Sequence, residues 1–142
     1  MSYLGKKGYS IYKKDLSSKN DIDSIKQKLT VKPFCAYADD VKPFPIYLES
    51  PNKLYLPRYY GIKNHGIPSD IKLPIPTKIN INFTKSLKQK QEPIVNTFMK
   101  SLNPNYGGGI ISVPCGYGKT VIALYIAAQL KLKTLVVVHK EF

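Results

Sequence analysis

Apolar residues along this chain follow three different rhythms. In the first, Ile22, Ile25 and Leu29 recur at i, i+3 and i+7, which predicts a short helix over Asp21–Leu29 with Asp21 as its N-cap. Eight prolines then fall between Pro33 and Pro76. Each fixes φ and removes a backbone donor, so the second rhythm is one of short strands joined by turns. FPIYLES and KLYLP read as two strands around the turn SPN, a hairpin, and Lys78–Asn82 (KININ) alternates as a half-buried strand does. Beyond residue 83 the third rhythm sets in. Leu87, Ile94, Val95, Phe98 and Leu102 recur at roughly helical spacing, and Pro93, best tolerated in a first turn, starts that helix close to Gln91. Two continuous apolar runs, IISVP (Ile110–Pro114) and TLVVVH (Thr134–His139), predict strands buried on both faces, with a helix over Lys119–Leu130 between them.

The expected fold class is α/β. Strand, glycine loop, helix and strand make a βαβ unit, the start of a parallel sheet, within residues 84–142. A small Pro-rich α+β module occupies residues 1–83. The sequence shows no internal repeat and no low-complexity tail.

Charge adds a partner to this picture. Across 142 residues the net charge is +13, carried almost wholly by lysine, with Arg58 the single arginine. Such an excess favours a polyanion, nucleic acid first. Lys53, Tyr55, Arg58, Tyr59, Tyr60 and Lys63 mix cations with aromatics, a composition that can grip a nucleic-acid backbone or equally pack short strands. Cys35 and Cys115 stand far apart without a CxxC pair, which excludes a zinc site and fits a reducing, intracellular compartment. The N-terminus lacks the apolar run of a signal peptide, and the longest apolar stretch, Val121–Leu130, is about half a membrane span. No membrane association is expected.

The chemistry concentrates in VPCGYGKT, Val113–Thr120. Gly118-Lys119-Thr120 is the ending of a phosphate-binding P-loop, although Val113 holds the place of its usual first glycine. Backbone N–H groups of Gly116, Tyr117, Gly118 and Lys119 are expected to surround a phosphate at the positive end of the helix. Lys119 supplies a point charge to the β- and γ-phosphates of ATP, and the Thr120 hydroxyl a ligand for Mg²⁺. Gly116 and Gly118 let the backbone turn and approach the anion closely.

The segment Pro114-Cys115-Gly116-Tyr117-Gly118-Lys119-Thr120 resembles motif I of superfamily 2 helicases, in which the leading glycine is often absent. It looks most like the XPB-type repair and transcription helicases and their relatives in phages and large DNA viruses. Upstream, Leu87–Gln91 (LKQKQ) is similar to the entry segment of such helicases, whose Gln reads the adenine base; the resemblance gives Gln91 that role. Lys90 stands where an aromatic is usual. Downstream, TLVVVHKEF resembles the strand and beginning of motif Ia, which implies nucleic-acid backbone contacts for His139 and Lys140. Residues 1–83 are similar to the leader of helicases from large nucleocytoplasmic DNA viruses, the group related to the poxvirus transcript-release helicase. The resemblance implies an incomplete RecA-like domain in an ATP-dependent DNA helicase or translocase, DNA being favoured over RNA. It also implies transcription or repair machinery as partners, and a viral factory, host cytoplasm or virion as location.

Hydrolysis needs an acidic box and an arginine motif that none of the nine carboxylates or Arg58 supplies. Asp39-Asp40 precedes the loop and reads as a solvated turn. The expectation is therefore the N-terminal fragment of a longer enzyme, cut within motif Ia and inactive alone. Another P-loop ATPase or kinase, or a non-catalytic nucleic-acid-binding module, stands as the alternative.

Overall fold

The computed structural model describes residues 1–34, 41–103, 105 and 107–138. It divides into two compact units, Met1–Pro74 and Ile75–Phe142.

The first unit is built on a hairpin that the hydrophobic pattern did not announce. Strand β1 (Ser2–Gly5) pairs antiparallel with β2 (Gly8–Tyr12). Gly8 closes their turn at φ +99°, and a Cβ there would lie 2.4 Å from the Leu56 carbonyl oxygen, so only glycine fits. Tyrosine on both faces of β2 hid the alternation. The anticipated hairpin around SPN is present: β5 (Leu48–Glu49) pairs with β6 (Lys53–Leu56), and β6 pairs with β2. A further strand, β7 (Asp70–Ile71), lies parallel to β1 and completes the order β5-β6-β2-β1-β7. Two short strands, β3 (Thr30–Val31) and β4 (Phe44–Pro45), form a separate pair.

Two helices cover one side of the five-stranded sheet. Helix α1 (Lys19–Lys28) brings Ile25 and Leu29 into a core with Tyr9, Ile11, Leu54 and Leu56, and Ile22 packs at its margin. The expected apolar face is thus the real one, but the cap is corrected. Ser18 is the N-cap, and Asp21 is the third helical residue, whose carboxylate accepts from the Ser18 N–H while the Ser18 hydroxyl accepts from the Asp21 N–H. Glu49 receives Lys13 at 2.6 Å and Lys26 at 2.8 Å, and these two lysines hold its carboxyl below the usual glutamate range. Helix α2 (Arg58–His65) crosses directly over Tyr9: a Cβ on Gly61 would meet that ring at 2.2 Å.

The second unit contains the two anticipated helices, α3 (Glu92–Ser101) with Pro93 in its first turn, and α4 (Lys119–Leu130). Val95, Ile122 and Ile126 form its core, with Leu87, Ile94 and Phe98 packed around them. The three strands expected here are not formed among the described residues. KININ makes a single bridge, Lys78 to Leu132, and neither Ile110–Val113 nor Leu135–Val138 has a strand partner. A strand exists only through a neighbour's backbone, and these runs find none among the described residues. Val136, Val137 and Val138 are 68%, 83% and 71% exposed as a result. The mixed α/β class holds, but the parallel pairing is β1 with β7 and not the βαβ unit. Lys131 ends α4 at φ +51°, and the bridge fixes it from both sides through Ile79 N–H to the Lys131 carbonyl and Lys133 N–H to the Thr77 carbonyl. Among the described residues no helix is long and apolar enough to cross a membrane.

Gly61→Ala drives a methyl into the Tyr9 ring and lowers the stability of the first unit by about 1–3 kcal/mol, read as a shifted urea midpoint. His65 stacks on Tyr9 with ring centroids 6.2 Å apart, its Nε2 buried without a partner, and burial pushes the imidazole below the ordinary histidine range. The folded state thus binds that proton less readily than the unfolded chain. Its contribution to stability is complete above the unfolded value of 6.5 and is lost as pH falls from there through the depressed folded value. Urea titrations at neutral and mildly acidic pH should show this loss in the wild type and a flatter profile in His65→Gln.

Candidate nucleotide-binding site

The glycine loop takes its shape from two residues. Gly116 and Gly118 adopt φ +78° and +76°, a region closed to most side chains, and Gly118 then serves as the N-cap of α4. The first hydrogen bond of the helix runs from the Ile122 N–H to the Gly118 carbonyl, so the N–H groups of its opening turn have no partner in the helix. These unpaired donors and the positive end of the helix dipole suit an anion. A Cβ on Gly116 would meet nothing within 4 Å, so the glycine there serves backbone conformation and leaves open space before the loop.

Lys119 folds back across the loop. Its Nζ donates to the Val113 carbonyl at 3.3 Å and the Pro114 carbonyl at 3.2 Å. An ammonium held only by two exposed carbonyls exchanges them readily for a stronger, charged acceptor. Thr120, beside it, is exposed and free to turn its hydroxyl toward a bound ion, and Cys115 is an exposed free thiol. The chain's donors therefore fit a Mg²⁺-bound triphosphate. Among the described residues no group of three His, Cys, Asp or Glu side chains could hold a metal by itself.

Gln91 ties this loop to α3. Its side chain is 3% exposed; Oε1 accepts from the Lys88 N–H at 2.9 Å and Nε2 donates to the Tyr117 carbonyl at 2.8 Å. Gly118 is pressed against the same amide, for a Cβ there would lie 2.5 Å from Nε2. Gln91 and Gly116–Thr120, separated in sequence, are thus brought into one site. One N–H and one lone pair of the Gln91 amide remain for a further partner. Lys90, at the position where an aromatic was expected, places its ammonium 4.4 Å from the centre of the Tyr117 ring. The Lys90–Tyr117 contact was missed because the two segments that hold these residues are far apart in sequence; only the fold makes them neighbours.

The remaining candidates lie elsewhere. Arg58 opens α2 in the first unit. His139, Lys140 and the Asp39-Asp40 pair lie outside the described residues. A cleft of about 630 Å³ in the first unit, lined by Asp15, Asp21, Tyr60 and His65 among others, places carboxylates where a phosphate site needs donors and is not part of this one.

Comparison with known proteins gives two matches. Residues 84–141 match the family described as type III restriction enzyme, res subunit. Over 145 residues the chain is 37% identical to a protein of Acanthamoeba polyphaga mimivirus whose name describes an ATP-dependent RNA helicase. That alignment takes in 95% of this chain and 27% of the mimiviral protein, so the chain spans about a quarter of its relative's length and shares both units with it. No solved structure matches. The chain thus resembles part of a giant-virus protein named as a helicase, in the direction its motifs implied.

Gly118→Ala combines a left-handed alanine with a clash against Gln91 and should lower the thermal midpoint of the chain by an amount corresponding to about 1–2 kcal/mol or more. Gln91→Glu sets a carboxylate oxygen against the Tyr117 carbonyl and lowers the same midpoint by an amount corresponding to about 1–3 kcal/mol. Thermal melts of the two variants check both.

Proposed function

We propose that residues 84–142 bind ATP–Mg²⁺ as the opening of a helicase ATPase domain, and that the chain works within a longer, ATP-driven nucleic-acid motor. The observation that carries this reading is the loop itself. Left-handed Gly116 and Gly118 bend it over the N-terminus of α4, and Lys119 rests on the loop carbonyls Val113 and Pro114.

In this reading Lys119 leaves those carbonyls for the β- and γ-phosphates, where its charge offsets the anion. The N–H groups from Gly116 to Lys119 orient the phosphates, and the Thr120 hydroxyl holds the ion. Gln91, at the N-terminus of α3, presents its free N–H and lone pair to the adenine edge while its other bonds hold Tyr117. Bound ATP–Mg²⁺ supplies the transferable phosphoryl group. Attack on it requires an acidic motif and an arginine that the rest of the motor contributes, so residues 1–142 bind ATP and leave it intact. The exposed apolar run Leu135–Val138 and the exposed Leu124 on α4 support a sheet completed by further strands. Residues 1–83 act as an accessory module in front of that domain.

DNA is the strand we assign to the motor, following the motif resemblance to repair helicases. RNA is the second reading, favoured by the name of the mimiviral relative. Titration of ATP–Mg²⁺ into the 142-residue chain should give saturable binding, weakened about tenfold or more by Lys119→Ala, with no phosphate released. Hydrolysis by the full-length helicase, stimulated by DNA and abolished by the same substitution, supports the DNA motor; stimulation by RNA alone favours the second reading. Binding that is indifferent to Lys119→Ala overturns the nucleotide site.

A further inference from the structure

The five-stranded sheet of the first unit has one face packed and one face open. Leu4, Tyr9, Ile11, Leu54 and Leu56 point to the packed face and are 0–7% exposed. Both α1 and α2 lie on that side, through Ile25 and Leu29 and through Gly61 against Tyr9. The register fixes what occupies the other side. Tyr3 pairs with Ser10, Ser10 with Tyr55, and Tyr12 with Lys53, so Tyr3, Tyr12, Tyr55 and Lys53 share the opposite face across β1, β2 and β6. All three tyrosines are partly exposed there.

Four lysines lie over these rings. Lys53 Nζ is 5.0 Å from the centre of Tyr3 and 4.5 Å from that of Tyr12, and Lys72 is 4.8 Å from Tyr3. Lys7 stands 5.0 Å from Tyr55, and Lys14 5.7 Å from Tyr12. The carboxylate on this side, Asp70, is at the β7 edge opposite Tyr3, already 3.5 Å from Lys72.

We propose that this face is a stacking platform for single-stranded nucleic acid, in which bases lie on Tyr3, Tyr12 and Tyr55 and Lys7, Lys14, Lys53 and Lys72 hold the phosphates. Ring faces bordered by ammonium groups answer both halves of an unpaired nucleotide, a flat aromatic base and an anionic linkage. Lys53 also donates to the Tyr3 hydroxyl at 3.3 Å, while a cation over a partly exposed ring is otherwise weakly held. An arriving base takes the ring, and the displaced lysine finds a phosphate a few ångströms away, so the empty face stores its own phosphate contacts. A duplex keeps its bases stacked inside and can offer this face only its backbone. The proposal uses residues of the first unit alone and stands whether or not the glycine loop binds ATP.

The test is fluorescence anisotropy of the 142-residue chain with labelled oligothymidylate of about 12 nucleotides, against a duplex of equal length. Tyr12→Leu and Tyr55→Leu should each lower affinity by about fivefold to a hundredfold, the range for one lost base stack, while Tyr12→Phe and Tyr55→Phe retain it. Lys53→Ala should reduce the slope of log affinity against log salt by about 0.7, one phosphate on a single strand. Circular dichroism and the thermal midpoint establish that each variant is folded, and the Phe variants separate stacking from fold. Affinity unchanged in both Leu variants overturns the platform, as does a duplex bound as tightly as the single strand or no binding of oligothymidylate at low salt.

Discussion

One buried carboxamide organises the second unit. Gln91 sits where α3 begins, and its two polar atoms reach opposite ways, to the Lys88 N–H and to the Tyr117 carbonyl. A buried amide left without partners is costly, so the position of α3 and the path of the glycine loop constrain each other. The size of residue 118 follows: nothing larger than glycine fits between this amide and the first turn of α4. Val95 and Ile122 then pack behind the amide and turn a local hydrogen bond into a helix–helix contact. The loop is therefore held in a curved shape before any ligand arrives. Binding has less backbone entropy to overcome as a consequence.

The first unit solves a different problem, how to make a small sheet from short strands. Its core is thin, and Tyr9 spans it: the ring fills the space under Gly61, and the hydroxyl reaches the Ser2 side chain at 2.9 Å. Charge does part of the work that apolar area does in larger domains. Glu49, on the edge strand β5, receives one lysine from beyond β2 and one from α1. Such exposed pairs contribute little singly; these two share a carboxylate and so fix the edge strand in register with the helix.

Helices were more legible than strands, for a physical reason. The period-3.6 signals of α1 and α3 are internal to each segment, and α4 was placed by the glycine before Lys119, although α2, without an apolar stripe of its own, was not foreseen. Even there the cap of α1 was misplaced, because Ser18 and Asp21 are both good caps and only the reciprocal hydrogen bonds rank them. Strands depend on distant partners. Leu54 and Leu56 alternate cleanly with Lys53 and Tyr55, so β6 was readable, whereas the aromatic residues of β2 face both sides and concealed it. IISVP and TLVVVH carry the composition of central strands but find no ladder among the described residues. In the site, the motif named Gly116–Thr120 and the helicase likeness pointed to Gln91; the hydrogen bond that joins them, and the stacking of Lys90 on Tyr117, depend on three-dimensional proximity that no spacing rule encodes.

The residue that ends α4 has a consequence for anyone handling the protein. Lys131 occupies a left-handed conformation that glycine adopts freely and lysine only with strain, about 1–2 kcal/mol. Its carbonyl accepts from the Ile79 N–H, and the Lys133 N–H just beyond it donates to the Thr77 carbonyl, so the strained turn cannot relax while the bridge to Lys78 stays closed. Glycine would relieve this conformation at the cost of only an exposed side chain, although it also loosens the unfolded chain. The helix terminus is therefore an engineering reserve, a place where thermal tolerance can be raised at the end of α4 opposite the glycine loop.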